Sequence, residues 1–318
     1  MPVITDLTKL DDRGFRALTG LSRKAFYQLL PLFIISYEEA MWERYEQHRS
    51  QRKRKPGAGQ KGRLNTMEKK LFFVLYYLKV YPTFDVLGDR FGLDRSKACT
   101  NVHKLLPVLI KALDKAGVLP KRKFESVEEL YAAFAEIADL FIDATERPHR
   151  RPKDATVQRQ KYSGKKKRHT VKNTVISNAC QMILFLGYTM FGSRHDYALF
   201  KMEFPPDADW FQAFRLWVDL GYLGIQKEYA ALEIHIPHKK PRKSKANPNP
   251  TLTKVQMAEN RQMSKVRVVV ENAICRMKRF SSLTAPFRNH KDNLVDDVAL
   301  VTAGLANWML SVHSASPA

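Results

Sequence analysis

Apolar residues recur at helical spacing through residues 21–34 (LSRKAFYQLLPLFI) and again, more densely, through 67–81 (MEKKLFFVLYYLKVY), where Pro82 stops the run. The polar, basic stretch between them, 48–63 (HRSQRKRKPGAGQKGR), reads as a loop. Residues 83–106 predict a helix-turn-helix. Phe84, Val86, Leu87 and Phe91 are spaced for a first helix and Gly92 falls at the turn. Asp94 or Ser96 can cap a second helix, which offers Ala98, Val102, Leu105 and Leu106 to a core. After a basic connector (121–124) and one more helix (126–138) the period shortens. Five strand-like runs follow: ADLFIDAT, RHTVKNTVISN, QMILFLGYTM, FRLWVDL and ALEIHIPH. A helix-like segment, SRHDYALFKM, precedes the fourth, and a long helix over roughly 253–280 follows the fifth. A basic, Pro/Asn-rich loop (238–250) lies between that strand and helix, and an apolar helix (294–312) closes the chain. The pattern predicts an α/β domain with a mixed five-stranded sheet over 126–318, preceded by an all-α region over 1–125.

Charge sharpens this picture. The chain carries 54 Lys and Arg against 32 Asp and Glu, a net charge of +22, so its partner is expected to be a polyanion, nucleic acid before membrane surface. No apolar run is read as reaching spanning length, and MPVITDLTKL lacks a signal-peptide pattern. Cys99, Cys180 and Cys275 are odd in number and far apart, which suggests reduced thiols in a cytoplasmic protein and no zinc site. With that charge balance, the outer face of the second helix of the pair, with Arg95, Lys97, Thr100, Asn101 and Lys104, suits groove edges and phosphates. The pattern alone fits a plain helical hairpin equally well.

Three acids stand where acids are costly. Asp143 follows Leu140-Phe141-Ile142, Asp219 follows Leu216-Trp217-Val218, and Glu271 follows Val268-Val269-Val270 on the long helix. They could offset that cost by sharing divalent cations, the arrangement that drives phosphodiester chemistry. On the long helix Arg267, Glu271 and Lys278 fall within an arc of roughly 40°, beside an apolar stripe of Met263, Val266, Val270, Ile274 and Met277. Taken alone, that helix is better explained by i,i+4 pairing of Arg267 with Glu271; the two aspartates after apolar runs tip the balance to a site.

The blocks YPTFDVLGDRFGLDRSKA, FIDATERP, KYSGKKKRHTVKN, GSRHDYALF, WVDLGYLG and RVVVENAICRMKRF, in this order, resemble the DDE transposases of bacterial insertion sequences, in the lineage related to Harbinger transposases. The resemblance covers nearly the whole chain. It implies a ribonuclease-H-like catalytic fold with Asp143, Asp219 and Glu271 as the acidic triad. It also implies two Mg²⁺ (or Mn²⁺) ions acting with bound DNA, and hydrolysis followed by strand transfer. Arg267, Glu271 and Lys278 fit the family's Tyr-x2-Arg-x3-Glu-x6-Lys signature, with Ser264 at the tyrosine position. Only 51 residues separate Asp219 from Glu271, too few for the large β insertion of some related enzymes. The implied partners are element ends and target DNA, with a homodimer on DNA. The alternatives are a non-catalytic DNA-binding descendant and a structure-directed nuclease of the same fold.

The remaining polar motifs are expected to be auxiliary. Asp196, three residues after Ser193, suits a capping box as well as a catalytic role, and His195 suits a supporting or DNA-contacting one. Thr145 shares a strand face with Asp143. Lys165, Lys166, Lys167 and Arg168 border the expected site and suit phosphate contact, as does the 239–245 run. For both, a solvated charge run competes with that reading. Trp217 is expected in the core.

Overall fold

The computed structural model describes residues 7–51, 55, 57, 62–245, 247–291 and 293–314. Much of the basic loop expected over 48–63, and residues 1–6 of the N-terminal segment, lie outside the described residues. Two compact units emerge, one from 1–119 with 277–318 and the other from 120–276.

The first unit is helical. It opens with α1 (Asp12–Thr19), α2 (Arg23–Gln47), α3 (Met67–Val80), α4 (Phe84–Phe91) and α5 (Arg95–Lys115). Each of these helices starts on a short polar side chain that accepts a bond from the backbone N–H three residues on: Asp11, Ser22, Thr66, Thr83 and Asp94. The helix-turn-helix is α4 and α5. Gly92 caps α4 in the left-handed region at φ 63°. Gly88 lets the chain fold back, since a Cβ there would stand 2.5 Å from the Leu93 carbonyl oxygen. Asp94, not Ser96, caps α5, accepting from the Lys97 N–H at 2.7 Å. The expected interior residues Leu87, Phe91, Ala98, Val102, Leu105 and Leu106 are buried, whereas Val86 is exposed. It lies off the inward stripe set by Leu87 and Phe91 at i,i+4.

The second unit is built on a sheet. Its elements are α6 (Val127–Ala133), β1 (Asp139–Pro148), α7 (Ala155–Lys161), β2 (Tyr162–Ser163), β3 (Arg168–Ser177), β4 (Ile183–Leu186), β5 (Met190–Phe191), α8 (Asp196–Glu203), β6 (Phe211–Trp217), α9 (Ile225–Glu228), β7 (Ala231–His235) and α10 (Lys254–Met277). The strand order is β2-β3-β1-β6-β7, with β4 and β5 both pairing β3. β1 and β3 are antiparallel, while β1, β6 and β7 run parallel. The sheet therefore has seven strands, not five. The run QMILFLGYTM divides into β4 and β5 around Gly187, which has room for no side chain because Glu203 Oε1 would lie 1.7 Å from a Cβ there. A short β2, hidden in the basic segment, adds the seventh strand. Leu140, Ile142, Ile176, Leu216 and Val218 face a core filled by Phe200, Phe204, Phe211 and Tyr222. Trp217 is instead half-buried and stacks on His235 at 3.8 Å between ring centroids.

Beyond Lys278, α11 (Ser281–Thr284) and α12 (Leu294–Ser314) return the chain to the helical unit. By length and composition alone α12 could cross a membrane, contrary to the expectation that no segment could. It is instead a core helix: Val298, Val301, Leu305 and Ala306 are buried, and Trp308 and Asn307 donate to the carbonyls of Ala25 and Val118.

Candidate active site

Two acids come together at the end of one strand pair. β1 and β6 pair in parallel with Phe141 opposite Trp217, the last pair. Asp143 follows on β1 and Asp219 on the chain leaving β6, and the two are close enough for the Asp219 charge to act on Asp143. β1 continues there, whereas β6 ends at Trp217. Asp219 turns the chain into a single 3-10 turn and accepts the Gly221 N–H on Oδ1 at 2.8 Å. Asp143 Oδ1 accepts the Ala144 N–H at 2.7 Å. One oxygen of each carboxylate is thus held by backbone.

The electrostatics are those of crowded like charge. Burial pushes the Asp143 carboxyl up to about 6, with Asp219 and Asp196 adding to the rise. The Ala144 N–H and Arg267 pull the other way. Arg267, from α10, is the cation at Asp143, at 4.0 Å from Oδ2. Tyr222 is fully buried and feels Asp143, Asp196 and Asp219 together, and its hydroxyl has no hydrogen-bond partner. Asp196 is the acid that joins this pair. It opens α8 without any cap from Ser193, so the capping-box reading fails. Its Oδ1 accepts from the buried Lys172 ammonium at 2.9 Å, and Lys172 also donates to the Arg194 carbonyl. A Cβ on Gly221 would lie 2.7 Å from Asp219 Oδ1 and 3.5 Å from Asp196 Oδ2, so that glycine sits between the two carboxylates.

Glu271 stands apart from this arrangement. It is exposed on α10, and the ion pair made by Arg267 is with Asp143, not with Glu271 one turn away. Among the described residues no three His, Cys, Asp or Glu side chains are arranged to hold a metal ion. The donors fit a hard divalent cation in part. Asp143 and Asp219 are adjacent acids whose charge Arg267 balances only in part, and the third carboxylate is not gathered in.

The other expected residues fall into two groups. Arg95, Lys97 and Thr100 are exposed on the first turns of α5, where Lys97 also pairs with Asp94 at 2.9 Å. Asn101 is half-buried and bonds the Lys97 carbonyl of its own helix. Lys104 leaves the outer face: its ammonium bonds the Tyr37 hydroxyl at 3.1 Å and lies over that ring. Lys165, Lys166, Lys167 and Arg168 are exposed at the turn joining β2 to β3, and Lys167 there has φ 55°. His195 is exposed and Lys278 half-buried just past α10. Residues 147–161 were not singled out by sequence reasoning, although His149, Arg150 and Lys161 assemble there. The signal was a run of basic residues, and only the later part of it, 165–168, was noticed.

Residues 142–307 match the family described as DDE superfamily endonuclease, and residues 62–115 match the helix-turn-helix of DDE superfamily endonuclease. The chain is 29% identical over 313 residues to the probable transposase for insertion sequence element IS702 of Microchaete diplosiphon, covering 96% of this chain and 98% of that protein. No solved structure matches. The first match alone spans more than half of the sequence and contains Asp143, Asp219 and Glu271, so the chain belongs to the DDE superfamily endonucleases.

Proposed function

We propose that this chain is the DNA transposase of an insertion sequence, binding the element's ends and carrying out strand cleavage and strand transfer in one pocket. The observation that supports the reading is the charge of Asp219 acting on the buried Asp143, just past the ends of paired β1 and β6, in a site whose charge is only partly balanced. The helix-turn-helix match and the net charge of +22 support DNA as the substrate, and the IS702 relative supports transposition over simple nicking. The strand order, with β1 central between an antiparallel and a parallel neighbour, supports a ribonuclease-H-like core. The shared sequence blocks support the Harbinger-related lineage.

In this reading Asp143 and Asp219 hold the cation, Mg²⁺ or Mn²⁺, and Glu271 completes the set from α10. A divalent ion supplies Lewis-acid polarisation of the phosphodiester and lowers the pKa of bound water. The chain's own part is orientation. The Ala144 and Gly221 N–H groups fix one oxygen of each aspartate, and Arg267 balances Asp143 in the free protein. Arg267 precedes Glu271 by one helical turn, so the helix face already at Asp143 is the one that bears Glu271. Closure of that turn on DNA would bring the third acid in, and pairing of two element ends would involve a homodimer. The domain division at about residue 125 is part of the same reading, with the helix-turn-helix in the first part and all three acids in the second.

The test is a cleavage assay on duplexes carrying the sequences that flank the gene. Wild type is expected to cut at the element boundary with Mg²⁺, and Asp143→Asn, Asp219→Asn and Glu271→Gln to bind without cutting. Full cleavage by any of these variants removes that residue from the triad.

A further inference from the structure

One concentration of charge is not absorbed by the acidic pocket. Residues 147–169 contain ten Lys and Arg and a single carboxylate, Asp154. That carboxylate is occupied as the cap of α7, accepting from the Val157 N–H at 2.8 Å. Within the segment, His149 is fixed by its backbone N–H, which donates to the His169 carbonyl at 2.9 Å. Its Nδ1 lies 2.8 Å from the Arg150 carbonyl oxygen, and its Nε2 lies 3.1 Å from Lys161 Nζ. A carbonyl can only accept and an ammonium can only donate, so one tautomer satisfies both: Nδ1 carries the proton and Nε2 accepts from Lys161. Lys161 is therefore aimed by a neutral imidazole that takes one of its three protons. Burial pulls the Lys161 ammonium down, and Arg150 adds to this. Burial likewise pulls His149 down, with Lys161, Arg150 and Arg147 also disfavouring its charge. Such a group of half-buried like charges is complementary to an anion.

Its position indicates which anion. The bond from the His149 N–H to the His169 carbonyl sets the cluster beside Lys165, Lys166, Lys167 and Arg168, all exposed at the turn joining β2 to β3. So many cations on adjacent segments match a ligand that carries many phosphates, as DNA does. Arg147 is not among them, being buried and bonded to Asn173 and Thr189.

We infer that Lys161, aimed by His149 and flanked by Arg150, grips a backbone phosphate of DNA held by this basic surface. This rests on the DNA-acting reading of the Asp143 pocket. The competing role for Lys161 is structural, a cation at the C-terminal turn of α7. The two differ in what salt does. A phosphate contact releases counterions and is independent of base sequence, whereas a helix-end charge changes stability alone.

The experiment measures binding of the full-length protein to two fluorescently labelled duplexes of unrelated sequence across a salt series, with thermal unfolding as a control. Lys161→Ala is expected to bind both duplexes more weakly by the same factor. The slope of log affinity against log salt is expected to flatten by about 1, with the melting temperature unchanged. Lys161→Arg keeps the wild-type slope. If Lys161→Ala keeps wild-type affinity and slope, or only its melting temperature moves, the inference is overturned while the reading of the pocket stands. If the wild type binds neither duplex, the inference is likewise overturned, and the reading of the pocket is left to the cleavage assay.

Discussion

The helical unit and the sheet unit treat their polar groups in opposite ways. In the first, helix starts are closed by Asp11, Ser22, Thr66, Thr83 and Asp94, and rings such as Phe15, Phe26, Phe72 and Phe91 meet edge to face or tilted in the core. In the second, acids are taken out of water and left partly uncompensated. Asp143 is pushed up to about 6 by burial, Glu203 to about 7 by burial, and one Glu203 oxygen and the Tyr222 hydroxyl have no partner. Burial without satisfaction costs stability, so its concentration in one unit marks that unit as the one carrying chemistry. The helical unit does recognition with a surface its scaffold need not strain to present.

The comparison breaks most visibly at Asp143. Asp143→Asn or Asp219→Asn is expected to lower the cleavage rate by roughly 10⁴-fold, the scale of removing one member of a catalytic unit, with DNA affinity retained. Loss of binding together with cleavage would mean that the pair shapes the DNA surface and not the reaction. In the helical unit, the largest effect belongs to packing. Leu87→Ala, at a fully buried position of α4, should cost about 2–5 kcal/mol in denaturant unfolding and weaken DNA binding. It should leave the sheet carboxylates' pH response untouched.

Glu203 sharpens the contrast through pH. Its carboxyl is raised from 4.5 to about 7, so the folded state binds the proton more tightly than the unfolded state does. Stability from this group is therefore present at low pH and lost as pH rises from about 4.5 through 7. Glu203→Gln should remove that decline and raise stability above pH 7 by about 2–3 kcal/mol, an upper figure for a group that keeps some exposure. Melting curves at pH 5 and pH 8 test it; an unchanged difference between the two would show that burial of Glu203 is not what the sheet unit pays. The smallest effect is at a cap. Thr83→Ala removes the acceptor of the Val86 N–H and should cost about 1 kcal/mol, seen as a lower denaturation midpoint with catalysis intact.

Legibility followed the range of the interactions. Helix ends, the Gly92 turn, the buried face of α5 and most strands are local, and short windows of sequence contain their causes. Asp143 and Asp219 were legible because each follows an apolar strand run, where an acid is conspicuous. Lys104 was misplaced because its partner, Tyr37, is remote in the chain. The extra strands were not legible because β4, β5 and β2 are each defined only by pairing with β3. The Lys161–His149 contact escaped for the same reason: its meaning depends on which strand His149 is pinned to.

By itself the sequence determined that a helical region precedes a mixed sheet, that the partner is a polyanion and that acids follow apolar strand runs, because period, caps and charge act over a few residues. The return of 277–318 to the helical unit was not contained in it. Only the tertiary structure decided which acids meet. Asp219, past the end of β6, and Asp196, bonded to Lys172, both act on Asp143, and α10 sets Arg267 against Asp143 while leaving Glu271 in solvent. Charges interact through space and not along the chain, so their pairing is settled only when the elements pack.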